Sequence, residues 1–145
     1  MTQVIIYENE NGNVSLCIPT GELTIEEVKE KDTPSHSIIV DDSILPQGDD
    51  AKFFDAWVLN EDNTISIDIP KSQTIATNNL NAQAKIEAQH RITNTSIGIE
   101  NELSDYEWLN LLNTARSSIS TAKTTTEILA SMKPVQDAIA NNLNK

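Results

Sequence analysis

The chain has 145 residues, with 22 acidic and 10 basic side chains and a net charge of −12. That length allows one or two small domains with a real core. The charge argues against direct contact with nucleic acid, which needs clustered Lys and Arg to displace counterions from phosphates; the one local basic cluster, Lys85, His90 and Arg91, is sparse.

Cys17 is the single cysteine, which excludes an intramolecular disulfide and fits a reducing compartment. No apolar run approaches the length of a membrane span. The opening "MTQVIIYENE" has no basic stretch ahead of its short apolar run, so no signal peptide is expected. Large aromatics are few, namely Tyr7, Phe53, Phe54, Trp57, Tyr106 and Trp108, so aliphatic side chains must carry most of the burial.

In chain order, residues 3–9 and 13–19 read as strands joined through Glu10–Gly12, where Asn-Gly is a strong hairpin signal. Thr24 and Glu27 have the spacing of a capping box, which predicts a short helix over 25–31. Residues 36–42 read as a third strand and "SILPQGDD" as a loop. "AWVLN" and "TISIDI" predict a second hairpin turning at Glu61–Asn63, with Ile65, Ile67 and Ile69 on one face. Phe53, Phe54 and Trp57 beside it read as the aromatic part of a thin core or as a recognition surface.

Pro70 is favourable at a helix start. The segment after it is rich in Asn, Gln, Thr and Ala, and it reads as a polar helix that connects or packs against another chain. Ile75, Ile86 and Ile97 recur every eleven residues, which places them along one seam of a nearly straight helix. Ser104–Glu107 and Thr124–Glu127 are two further capping boxes. Between them Trp108, Leu111, Leu112, Ala115, Ile119 and Ala122 share one helical face. Pro134 is expected to end the helix that begins at Thr124 and to start a last one through Val135, Ile139 and Leu143.

The whole reads as α+β: a small, mostly antiparallel N-terminal sheet with one short helix, followed by a C-terminal helical region. Three segments are expected: a small α+β domain over 1–70, a polar connecting helix over 71–103, and a helical hairpin or three-helix unit over 104–145.

No catalytic constellation is visible. His36, His90 and Cys17 stand apart, and Asp41, Asp42, Asp49 and Asp50 lack the alternating spacing of a calcium loop. No nucleophile elbow, phosphate-binding glycine loop or zinc-protease motif occurs. No catalytic, cofactor-binding or metal site is assigned, and the chain does not read as an enzyme. Phe53, Trp57 and Trp108, with Ile75, Ile86 and Ile97, are the candidate anchors, internal or interfacial.

The ordered set "VIIYENENGNVSLCIPTGELTIEEVKEKDTP", "IIVDDSILP", "FFDAWVLN" and "ISIDIPK", over residues 4–71, resembles small proteins encoded by tailed bacteriophages near their structural and tail genes. "NTARSSISTAKTTTEILASMKP", with Arg116 and the Thr124–Glu127 cap, is similar to a recurring feature of the same tail-associated group. The middle departs from it, because "SQTIATNNLNAQAK" stands where members often carry a basic helix. The resemblance implies a non-enzymatic virion or assembly protein made in a bacterial host cytoplasm. It would be attached to tail, fibre or neck components, and its partners would be other phage structural proteins and further copies of itself, without nucleic acid or membrane. The competing expectations are a transient tail-fibre chaperone and an acidic inhibitor that mimics DNA.

Overall fold

The computed structural model describes residues 2–145. The protein is α+β and divides into two compact units, Met1–Asp68 and Ile69–Lys145.

The first unit starts with β1 (Gln3–Glu8) and β2 (Val14–Cys17), followed by α1 (Ile25–Asp32) and β3 (Ile38–Asp41). Both β2 and β3 pair antiparallel with β1, which is the central strand. A separate antiparallel hairpin, β4 (Trp57–Leu59) and β5 (Ile65–Ile67), completes the unit. Alternation along β1 sends Val4 and Ile6 to one face, where they pack with Val14 and Trp57. Ile38, Val40, Leu59, Ile65 and Ile67 close around this cluster, so one core serves both sheets. Fully buried Ile5 has the opposite alternation phase, and α1 lies against β1 and β3 with Val28 inward. The capping box of α1 is present in full: Thr24 Oγ1 accepts from Glu27 N at 3.3 Å, and Thr24 N donates to Glu27 Oε2 at 2.9 Å.

The turns are one residue wider than a two-residue Asn-Gly loop. In the first, Asn9 N donates to Asn13 O and Gly12 N to Asn9 O, with Gly12 at φ +77°. The second repeats the pattern over Asn60–Thr64, with Asn63 at φ +68° in the glycine's place. This is a three-residue hairpin loop whose last loop residue is left-handed. The expected loop after β3 is partly helical, since 3-10 turns cover Asp42–Ile44 and Gly48–Ala56.

The second unit is three helices: α2 (Ile69–Ser96), α3 (Asp105–Thr121) and α4 (Thr125–Leu143). Ile69 therefore leaves the expected strand and opens α2, with Pro70 in the first turn, where its missing N–H costs nothing. The polar segment expected to connect two domains is packed within this unit, against α3 and α4. Ser104 and Thr124 cap α3 and α4, each accepting from the N–H of the Glu three residues on. Pro134 does not separate two helices, as expected from sequence, but lies inside α4. Met132 and Val135 on either side of it are buried, and their packing holds the helix continuous across the missing hydrogen bond.

Candidate functional site

The inward face of α2 runs Ser72, Ala76, Leu80, Ala84, Glu87, Arg91, Asn94. Its first half is small or apolar and its second half is polar. Glu87 and Asn94 are 2% and 3% exposed, so each needs partners from other elements. Asn142, near the end of α4, donates through Nδ2 to Glu87 Oε1 at 2.9 Å and to Asn101 Oδ1 at 3.1 Å. Its own Oδ1 accepts from Glu102 N at 2.9 Å. Asn94 Nδ2 donates to Asn101 Oδ1 at 2.9 Å, and Asn101 Nδ2 donates to Arg91 O at 3.2 Å. His90 Nδ1 donates to Glu87 Oε1 at 3.1 Å. Glu87 Oε2 and Gln83 Oε1 are buried without a hydrogen-bond partner among the described residues.

Arg91 fastens the other side of the same end. Its guanidinium donates to Leu103 O at 2.8 Å and to Asp105 Oδ1 at 2.6 Å, and it lies 5.9 Å from the centre of the Trp108 ring. Asp105 is almost wholly in water, so the ion pair adds little to stability, and orientation is its main effect. The turn between α2 and α3 is shaped locally. Ile99 N donates to Asn94 O and Gly98 N to Thr95 O, with Gly98 at φ +78°. This is a Schellman ending, which requires a left-handed residue and therefore favours glycine.

Outside this polar cluster, α2 and α3 leave an open groove of about 500 Å³ lined by Ala88, Ile92, Thr95, Asp105, Trp108 and Leu109, among others. Ile92 and Leu109 are 61% and 54% exposed and form its walls. Ile86 and Ile97 are also exposed, and with half-buried Ile75 they trace a separate stripe about 100° or more around α2 from Ile92.

The candidate anchors therefore fall into two groups. Phe53, Trp57 and Trp108 are buried inside their own units. Trp57 donates through Nε1 to Asp50 O at 3.0 Å, and Phe54 stacks obliquely on it at 4.8 Å. Ile86 and Ile97 are accessible. Of the apparent basic cluster, Arg91 is buried and His90 is bound to Glu87, which leaves Lys85 exposed. The buried residues Glu87, Asn94 and Asn142 escape a search for apolar periodicity. Their signal is helical spacing, since Glu87, Arg91 and Asn94 continue the inward series of Ala76, Leu80 and Ala84.

His36 donates through Nε2 to Glu8 O at 2.9 Å and meets Tyr7 edge-on, a contact that closes the sheet end. Hydrogen bonds from Ser43 hold the Asp41 carboxyl below the usual value. Among the described residues no three of His, Cys, Asp or Glu form a group that could hold a metal ion, and no helix is long and apolar enough to cross a membrane. Compared with known proteins, the chain matches no family model, no curated sequence and no solved structure.

Proposed function

We propose that this chain is a non-enzymatic structural or assembly protein of a tailed bacteriophage that binds tail, fibre or neck components through its helical half. The observation that carries the reading is the inversion at the C-terminal half of α2: Glu87, Arg91 and Asn94 point inward while Ile86, Ile92 and Ile97 point into solvent. Desolvating such side chains is favourable by about 1.5–3 kcal/mol each when a partner covers them. The resemblance of residues 4–71 to tail-associated phage proteins supplies the class of partner. The DNA-mimic alternative wants carboxylates in a regular stripe, whereas Glu27, Glu107 and Glu127 are committed to helix caps.

The test is quantitative mass spectrometry of purified particles, with a strain lacking the gene in parallel. The reading expects the chain in the particle at fixed copy number and defective tails without it. A chain absent from particles that are nevertheless lost on deletion would make it a transient chaperone. Absence from particles together with normal infectivity would overturn both.

A further inference from the structure

We propose that Asn11 is a self-modification site. The main-chain nitrogen of Gly12 displaces the Asn11 carboxamide nitrogen as ammonia, and the tip of the first hairpin converts irreversibly to an aspartyl or isoaspartyl residue. The inference concerns the first unit and does not depend on the proposed function of the helical one.

The reaction needs a side-chain amide that is free to turn and a following main-chain nitrogen that nothing shields. Glu10, Asn11 and Gly12 are exposed at the tip. Asn11 N donates to Asn9 Oδ1 at 3.0 Å, but the Asn11 carboxamide makes no hydrogen bond among the described residues. Glycine alone brings no Cβ against the attacking nitrogen. Every other asparagine of the chain is followed by a residue with a side chain, and several, such as Asn79 and Asn113, are also fixed in a helix. The amide anion of Gly12 N attacks Asn11 Cγ; the new C–N bond closes a cyclic imide, and the Cγ–Nδ2 bond breaks with release of ammonia. Water then adds to either imide carbonyl and opens the ring. In sum, water is consumed and ammonia released, and a negative charge appears at the tip. It joins that of Glu8, whose Oε1 lies 3.8 Å from where a Cβ on Gly12 would stand.

The folded loop slows the reaction and decides what its products do. Gly12 N–H donates to Asn9 O at 3.0 Å, which holds its proton, so attack waits for the tip to open. The two hairpin loops, Asn9–Asn13 and Asn60–Thr64, share one hydrogen-bond pattern, and Asn11 stands where the second loop carries Asp62. There the carboxylate accepts from Thr64 N at 3.1 Å, so the aspartyl product fits a turn of this kind. The isoaspartyl product does not. Its main chain is one carbon longer, which displaces the bonds that Gly12 N and Asn13 N make to Asn9. Those bonds close β1 against β2, and β1 carries Val4 and Ile6 into the core of the unit.

The test is incubation of the full chain at mildly alkaline pH, then cleavage after glutamate to release residues 11–22 and mass spectrometry of that peptide. Labelling by an isoaspartyl methyltransferase tells the products apart. Asn11 should convert before every other asparagine and yield both products. Conversion should be on the order of tenfold faster in urea, where the Gly12 N–H is released. Gly12→Asn should slow it about tenfold, because a Cβ then stands beside the nitrogen. Asn63 shows that asparagine accepts the left-handed backbone at this place in the loop, and the same comparison made in urea leaves folding out of account. Asn11→Asp should keep the urea midpoint of the first unit, whereas isoaspartyl chains separated by ion exchange should unfold at lower urea. Earlier conversion of another asparagine overturns the inference. So do equal rates with and without urea, an unchanged rate in Gly12→Asn, or an Asn11→Asp variant that unfolds as readily as the isoaspartyl form.

Discussion

Asn142→Ala tests whether the polar cluster holds the helical unit together. The substitution removes three hydrogen bonds: one to the buried carboxylate of Glu87, one to Asn101 and one from Glu102 N. A bond to a charged group contributes about 1.5–3 kcal/mol and each neutral bond about 0.5–1.5 kcal/mol. The gross loss is therefore about 2.5–6 kcal/mol. Asn142 lies one residue from the end of α4, where fraying admits water to the orphaned groups, so a value in the lower part of that range, about 3 kcal/mol, is expected. Urea denaturation followed by Trp108 fluorescence in a Trp57→Phe background reports on this unit alone. With a urea dependence of about 1–3 kcal/mol per M, the midpoint should fall by about 1 M or more. Exposed Asn141→Ala is the control and should change stability by less than about 0.5 kcal/mol. If Asn142→Ala and Asn141→Ala behave alike, the cluster contributes nothing and the reasoning fails.

Trp57→Ala should destabilise the first unit by about 3–5 kcal/mol, because it empties the core shared by its two sheets; an unchanged denaturation midpoint would contradict that placement. Pro134→Ala restores a donor to the middle of α4 and should raise the melting temperature of the helical unit, by up to about 3 kcal/mol in stability; a loss of stability would mean that the proline is required by its surroundings. Hydrogen bonds from the Thr64 hydroxyl and N–H hold the Asp62 carboxyl below its ordinary value of 3.8. Because the folded value is depressed, its small contribution to the hairpin is fully present above 3.8 and fades as pH falls through the folded value. Carbon-detected NMR should give a midpoint below 3.8 that moves up in Thr64→Val, and a midpoint at or above 3.8 would contradict the geometry.

The local features of this protein are written in short stretches of sequence. Thr24 with Glu27, Ser104 with Glu107, and Thr124 with Glu127 fix where three helices begin, because a capping side chain and its target lie within one turn. The alternation of Ile65, Ser66 and Ile67 fixes the faces of β5 for the same reason of range, whereas β1 is buried on both faces at Val4–Ile6. The α+β class and the inward face of α3 follow from such local rules. The orientation of α2 does not. Glu87 and Asn94 turn inward because Asn101 and Asn142, 7 and 55 positions away from them, satisfy their polar groups, and no local rule can anticipate that pairing. Pro134 is likewise a helix breaker by local preference, and only the burial of Met132 and Val135 on both sides keeps α4 in one piece. Tertiary structure alone thus decided which side of α2 faces water, because a buried polar group is tolerable only once distant partners have arrived, and with it which apolar surface is left for another molecule.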